Sequence, residues 1–371
     1  MHVVHLIKVT GIAGAERHLL TLLPGLRAAG TDARLIALVE PGHPVDALAH
    51  AAAQVGVPFE RAIIHHHGDV GLIRRLIPLL RRERPDIVHT HLLHADLYGI
   101  PAAKLAGVRR VVTSRHNDDA FRRQPHWRAI HAAQWRMVDQ GIAISDAIRA
   151  FSIAVESAPP SKITRIHYGL PSAPPAAPPD LRAALGIPPG TPLIGMVGRV
   201  TAQKGMRYGL IGFLQAADTF PDAHLVIVGD GDERAALESL VADRMDAKNV
   251  HFLGWRADAA ALMGAFDVFL MPSLWEGFGL VLLEAMAAGK PVIASRASAI
   301  PEIVVDGATG LLVPPRDPDA ITAALRHLLA DAGLRAQMGA AGAARLREHF
   351  TPDGMIAATQ ALYDRILTSG R

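Results

Sequence analysis

Short runs rich in Val, Ile and Leu alternate along the chain with longer segments whose apolar residues recur every three or four positions. That rhythm predicts strands alternating with helices, and hence repeated β–α–β units with parallel sheets. In the first half the strand-like runs are Val3–Val9, Arg34–Val39, Asp86–His91, Arg110–Ser114 and Gly141–Ser145. In the second they are Leu193–Val197, His224–Val228, Val250–Leu253, Asp267–Met271 and Pro291–Ala294. Each set suffices for its own doubly wound α/β sheet. Between them Leu170–Pro179 is dense in proline, which removes backbone donors and disfavours both helix and central strand. The pattern therefore predicts a first domain over 1–169, a Pro-rich linker over 170–190 and a second domain over 191–350. A final helix over 351–371 follows Thr351-Pro352-Asp353, with apolar Met355, Ile356, Ala358, Leu362 and Ile366.

Composition sharpens this picture at a few points. A chain of 371 residues, half of them hydrophobic, supplies two buried cores. Met1–Ile7 leads straight into a glycine loop with no basic n-region or cleavage site, so no secretory signal is expected. No apolar run approaches the ~20 residues of a membrane span. With no cysteine there are no disulfides or thiolate metal sites, which fits a cytoplasmic protein. The net charge of +3 hides an asymmetry: residues 1–170 carry 21 Lys and Arg against 14 Asp and Glu, and 15 of the 19 histidines. A basic amino-terminal half points to an anionic partner, either phospholipid headgroups or a diphosphate-bearing acceptor. No nucleic-acid motif accompanies the charge, so nucleic acid is not expected.

The densest chemistry lies at Glu276-Gly277-Phe278-Gly279-Leu280-Val281-Leu282-Leu283-Glu284, directly after the run Asp267–Met271. A glycine turn that opens a helix presents unpaired N–H groups and the positive end of the helix dipole, which suits a phosphate. The flanking carboxylates can accept hydrogen bonds from sugar hydroxyls. Phosphate and polyol together indicate a nucleotide-sugar. At helical spacing Glu284 falls about two turns beyond Glu276, on nearly the same face. Gly198-Arg199-Val200-Thr201-Ala202-Gln203-Lys204-Gly205 follows the run Leu193–Val197 and places two cations in a glycine-bounded loop, able to neutralise a diphosphate.

These segments resemble, in the same order, the E-x7-E and G-R-x-x-x-x-K-G signatures of family 4 retaining glycosyltransferases, the group that includes glycogen synthase-like and phosphatidylinositol mannosyltransferase-like enzymes. The resemblance implies the GT-B architecture: two Rossmann-like doubly wound parallel-sheet domains facing a central cleft, the first binding the acceptor and the second the nucleotide-sugar donor, with the last helix crossing back to the first domain. It implies that Glu276 meets the donor sugar, Glu284 the ribose, and Arg199 and Lys204 the diphosphate. Charge grows on that diphosphate as the anomeric bond breaks, and preplaced cations stabilise the change. Gly198, Gly277, Phe278, Gly279 and Leu280 belong to the same donor loops. Val228-Gly229-Asp230-Gly231-Asp232 is a weak signal alone, lacking the third glycine of a dinucleotide fingerprint. By resemblance Gly229 and Gly231 shape the donor pocket, and Asp230-x-Asp232 belongs to a metal-independent framework, so neither a cofactor nor a catalytic metal is expected. Trp255 either stacks on the base or belongs to the core.

On the amino-terminal side, Thr10-Gly11-Ile12-Ala13-Gly14-Ala15-Glu16 is a flexible turn feeding a helix, and its amides can approach phosphate. It resembles the family's G-G-x-E loop through Gly14 and Glu16, with Ala13 where the first glycine is common. Thr113-Ser114-Arg115-His116-Asn117 resembles the T-x-H-N segment, which implies that His116 orients a sugar hydroxyl or supports charge near the anomeric centre; a structural hydrogen bond is the plainer role. His89 and His91 share one strand face, a geometry open to a metal, to packing or to acceptor contact. Phe121–Arg128, Trp135-Arg136 and the basic stretch Gly71–Arg84 interleave rings and cations in a way that suits either a membrane interface or a solvated face over core tryptophans.

The resulting expectation is an enzyme that moves a sugar from a nucleotide diphosphate donor, UDP-sugar favoured and GDP-mannose possible, to a hydroxyl of a glycan or lipid-linked acceptor in cell-surface polysaccharide or glycolipid synthesis. Such an enzyme would be cytoplasmic, with peripheral attachment at the inner face of the plasma membrane as an option. A GT-B nucleotide-sugar epimerase and a non-catalytic nucleotide- or glycolipid-binding subunit are the alternatives.

Overall fold

The computed structural model describes residues 1–43, 45–172, 180–242 and 248–369. The chain divides into two compact units: Met1–Gly169 together with the chain from Pro352, and Leu170–Thr351. Each unit is a parallel sheet with helices on its faces, the Rossmann-like arrangement.

Among the described residues the first unit has seven strands: β1 (His2–Lys8), β2 (Asp32–Val39), β3 (Phe59–Ile63), β4 (Ile87–His91), β5 (Arg110–Arg115), β6 (Gln140–Ala143) and β7 (Ile163–Arg165). They lie in the order β3-β2-β1-β4-β5-β6-β7, every pair parallel. The second unit has six: β8 (Leu193–Val197), β9 (His224–Val228), β10 (Val250–Gly254), β11 (Val268–Met271), β12 (Val292–Ser295) and β13 (Gly310–Val313), ordered β10-β9-β8-β11-β12-β13 and again all parallel. Central strands such as β4, β11 and β12 are buried along their whole length, as a sheet covered on both faces requires. In each sheet the chain winds outward on one side and then returns to the other, so the order reverses once, between β1 and β4 and between β8 and β11. Ligands of open α/β sheets bind at such reversals, beyond the carboxyl ends of the strands.

The ten strands read from the pattern all occur, with ends shifted by no more than two residues. The unanticipated ones, β3, β7 and β13, are all edge strands. An edge strand is covered on one side only, so its sequence needs no continuous apolar run; β3 is Phe-Glu-Arg-Ala-Ile and none of its residues is fully buried.

Residues 173–179 of the proline-rich stretch lie outside the described residues. Its far end is structured: Asp180 caps the short helix Leu181–Leu185, and Arg182 pairs with Asp267 at 2.7 Å, ahead of β11. The helix Pro352–Thr368 packs on the helix Gly14–Ala28, close enough that a Cβ on Gly25 would meet Ile356 Cδ1 at 2.1 Å. It buries Met355, Thr359, Leu362, Tyr363 and Ile366, whereas Ala358, expected on the apolar stripe, is exposed.

Candidate functional site

In the second unit the loops that leave β8, β9, β10 and β11 are laced together by backbone hydrogen bonds. Gly198 N–H donates to Val228 O, Val200 N–H to Asp230 O and Glu233 N–H to Val200 O, while Gly229 N–H donates to Gly254 O at 2.8 Å. Gly229 sits at φ +139°, and a Cβ there would lie 1.8 Å from Gly198 O. At Gly231 a Cβ would likewise meet Val200 O, at 2.3 Å. These two glycines therefore let one strand-end loop lie directly on the next, a more local reason than the pocket-shaping role implied by resemblance.

Across the order reversal, Leu274 N–H donates to Gln203 O at 2.8 Å and Gln203 Nε2 donates to Trp275 O at 3.1 Å. Gly205, at φ +57°, lets the β8 loop approach Pro272 O, which a Cβ would meet at 2.3 Å. The consequence is that Lys204 and Glu276, 72 positions apart in sequence, form an ion pair between Nζ and Oε1. Ser273 Oγ donates to the same Glu276 oxygen at 3.1 Å. Arg199 stands exposed beside them, its guanidinium 3.3 Å from Gln203 Oε1. Sequence reasoning identified both charged motifs but not the contacts of Ser273 with Glu276 or of Gln203 with the facing loop, which depend on the fold.

The helix after this junction is Leu280–Ala287, with Gly279 as its N-cap at φ +98°. Glu276 therefore precedes the helix, and Glu284 is one turn inside it. The two-turn spacing on one helical face does not apply; the glycine loop places the first carboxylate instead. Leu280 stands at the helix N-terminus, whose leading amides have no intrahelical acceptor. Gly277 is buried in the turn. The Phe278 ring is turned inward, edge-on to Phe350 at 5.9 Å between centroids, so this residue can offer a ligand only its backbone. Trp255 is 76% exposed and is no core residue. A cavity of about 400 Å³ bounded by Asp180, Arg182, Asp267 and Lys290 lies at the opposite, amino-terminal edge of the strands and holds none of these groups.

In the first unit Gly14 is exposed at the start of its helix, and Glu16 reaches back to accept from Ala13 N–H at 2.9 Å. Burial pushes the Glu16 carboxyl up from its ordinary range, outweighing that hydrogen bond. His116 is nearly buried, and both ring nitrogens are occupied: Nδ1 meets the Tyr168 hydroxyl and Nε2 lies 3.1 Å from His91 Nδ1. Burial pushes the His116 imidazole well down, and the Arg115 and Arg122 guanidiniums act the same way. His18 stacks on Tyr168 at 4.2 Å. Neither Tyr168 nor the occupied state of His116 was visible in sequence, because the partners come from distant strand ends.

Trp135, a candidate for a membrane interface, is buried under the Arg115 guanidinium at 5.3 Å. Arg115 itself is enclosed with Asp96 and Glu156, and Arg122 pairs with Glu156 at 2.5 Å. Of the basic stretch, Arg75 pairs with Asp69, and Arg82 with Glu60 and Glu83. Phe121, Arg123, His126 and Arg128 remain on the surface. Among the described residues no helix is long and apolar enough to cross a membrane.

Residues 179–345 match the model described as glycosyl transferases group 1, and residues 12–173 match that of glycosyltransferase family 4. The chain is 32% identical over 281 residues to the UDP-Gal:alpha-D-GlcNAc-diphosphoundecaprenol alpha-1,3-galactosyltransferase of Escherichia coli, covering 71% of each. It is 29% identical to the phosphatidyl-myo-inositol mannosyltransferase of Mycobacterium leprae, over 96% of this chain and 94% of that one. In fold it is similar to Anabaena HepE crystallised with UDP, at a TM-score of 0.84 and 21% identity, covering 98% of this chain and 100% of HepE.

Proposed function

The chain belongs to the group 1 and family 4 glycosyltransferases, and from that premise we propose that it transfers a sugar, with retention, from a UDP-sugar to a hydroxyl of a lipid-linked or cell-surface glycan acceptor. The observation that carries this reading is the Lys204–Glu276 pair at the order reversal of the second sheet. There a cation suited to the diphosphate and a carboxylate suited to the sugar hydroxyls touch in the loops that leave neighbouring strands, ahead of the helix that starts at Leu280. Arg199 and Lys204 stabilise the negative charge that develops on the leaving diphosphate. Glu276 binds the donor sugar, and Glu284 takes the ribose. Gly198 and Gly279 keep the backbone close to the ligand, Gly229 and Gly231 hold the donor loops against one another, and Gly277, Phe278 and Leu280 contribute main chain; Gly14, in the first unit, offers helix-start amides to a phosphate. His116 is assigned to a sugar hydroxyl.

The choice of UDP rests on the galactosyltransferase relative, named for UDP-Gal; a relative in Corynebacterium glutamicum is GDP-mannose-dependent, at 34% identity over 268 residues, which makes GDP-mannose the second donor to try. Thermal stabilisation of the protein by UDP-, GDP- and ADP-sugars beside their free diphosphates, with EDTA present, tests the reading. Selective stabilisation by UDP-sugars is expected. No response to any nucleotide would favour a non-catalytic binding subunit, and donor turnover without acceptor would favour an epimerase.

Peripheral attachment to an anionic membrane is proposed for the first unit. Support comes from exposed Phe121, Arg123 and Arg128, with the buried Trp135 taking no part. Sedimentation with anionic liposomes should decline as salt rises; failure to sediment at low salt removes the proposal.

A further inference from the structure

Seven side chains inside the first unit join end to end. From the Tyr168 hydroxyl the chain passes to His116 Nδ1, and from His116 Nε2 to His91 Nδ1 at 3.1 Å. His91 Nε2 meets His5 Nδ1 at 3.0 Å, and His5 Nε2 lies 3.4 Å from the Tyr363 hydroxyl. That hydroxyl is 2.6 Å from His89 Nδ1, and His89 Nε2 ends on Ser114 Oγ at 2.8 Å. All seven side chains are buried, and β1 and β4 bring His5 and His89 into register as neighbours.

Burial holds these imidazoles neutral, with His5 brought down to about 3. A neutral imidazole has one N–H and one lone pair, so each link takes one proton and the choice at any link dictates the next. Two arrangements satisfy the chain. In one, all four rings carry the proton on Nε2, both tyrosines donate to Nδ1 and Tyr363 accepts from His5; in the other, all four carry it on Nδ1, Tyr168 accepts, and Tyr363 accepts from His89 and donates to His5 Nε2. A phenol is a better donor than acceptor, which at Tyr168 favours the first. The 2.6 Å contact of Tyr363 with His89 has the length of a strong O–H donation, whereas the 3.4 Å contact with His5 suits weak acceptance. The first arrangement follows.

His5, His89 and His91 also offer ring nitrogens within 4.8 Å of one another, a grouping open to a metal. Two nitrogens on one tetrahedral zinc, at 2.0–2.1 Å bonds, stand roughly 3.3 Å or more apart. The His5–His91 spacing of 3.0 Å is that of a direct hydrogen bond. None of the seven groups carries a negative charge to offset a buried dication.

We propose that this chain is a tautomer lock in which His91, His5, Tyr363 and His89 are positioning residues that fix the proton of His116 on Nε2. The proposal rests on the assignment of His116 to a sugar hydroxyl. Locked in this way, His116 offers a hydroxyl an N–H from Nε2 and cannot take a proton there, so it acts as a hydrogen-bond donor and not as a base. A sugar hydroxyl that approaches Nε2 shares that N–H with His91 Nδ1 in a three-centre contact, so the chain still holds the proton while Tyr168 keeps Nδ1 supplied.

Long-range ¹H–¹⁵N correlation spectra of the full ¹⁵N-labelled chain read the tautomer of each ring. All four imidazoles are expected as Nε2–H. Tyr363→Phe keeps the packing and removes the central hydroxyl; it should convert His116 to a mixture of tautomers and lower kcat about tenfold, one hydrogen bond's worth. Ser114→Ala, cutting the far end, is the second variant should Tyr363→Phe fail to fold. Mixed tautomers in the wild type, an unmoved His116 in the variants, or one tightly held divalent metal per chain would each overturn the lock. A tautomer shift without loss of kcat would overturn the positioning role. A wild type that transfers from no donor refutes the assigned reaction, and the spectra still decide the lock.

Discussion

Lys204 is engaged by a carboxylate, and this shapes what each partner can do. A diphosphate entering the loop offers Lys204 a second anion, and a sugar hydroxyl offers Glu276 a donor in place of the ammonium, so the pair can be shared or exchanged without leaving either charge bare. Lys204→Ala removes the cation from the leaving group and strips Glu276 of its counter-charge. We expect kcat/KM to fall on the order of a hundredfold or more, with a cooperative melt retained; turnover like the wild type would take Lys204 out of the mechanism. Glu284→Gln should weaken donor binding about tenfold through a lost charged hydrogen bond, read by titration with the free nucleotide; unchanged affinity would remove the ribose assignment. The acids and cations were legible as residue types at fixed spacing. Their mutual contact was not, because it depends on contacts of Gln203 and Ser273 that only the fold sets.

At the scale of elements, the site depends on loops lying flat against one another, and glycine makes that possible. Gly229→Ala would drive a methyl group into Gly198 O while holding a non-glycine residue at φ +139°. We expect a loss of about 2 kcal/mol or more of stability, measured by urea unfolding, together with weaker nucleotide binding, since Val200 and Arg199 move with that loop. A stability unchanged from the wild type would contradict the close approach. The interior strands could be read from sequence because burial on both faces forces continuous apolar runs, as in Leu193–Val197. Of the edge strands among the described residues, Val250–Gly254 was read, whereas Phe59–Ile63 escaped because this half-exposed segment mixes charge with apolar residues. The start of the helix at Leu280 also escaped: nothing in Glu-Gly-Phe-Gly distinguishes a first helical turn from a glycine loop until the left-handed Gly279 is seen.

At the scale of the whole molecule, acid sensitivity is concentrated in one unit. His5, His18, His89, His91 and His116 are all held well below the ordinary imidazole value of 6.5, chiefly by burial, and all belong to the first unit. Their contribution to stability is complete above pH 6.5. It drains away as pH falls toward about 3, because the unfolded chain takes up protons that the folded core refuses. Glu156 acts in the same direction at lower pH. Although burial raises its carboxyl, Arg115 and Arg122 outweigh that and hold it below 4.5, so its share is lost only as pH falls further. Hydrogen exchange at pH 7.5 and pH 5 should show protection falling first in the strands β1, β4 and β5; equal loss in β8 and β11 would contradict the assignment. The return of Pro352–Thr368 onto Gly14–Ala28, tied by Thr31 to Gln360 at 2.7 Å, bears on how such a chain is made. A ribosome delivers the first sheet early, but the helix that covers it, and the Tyr363 hydroxyl that completes its buried chain, emerge only after the entire second unit. During synthesis, therefore, the second unit can close on its own, while the nascent first sheet waits with an apolar flank uncovered for a chaperone to shield.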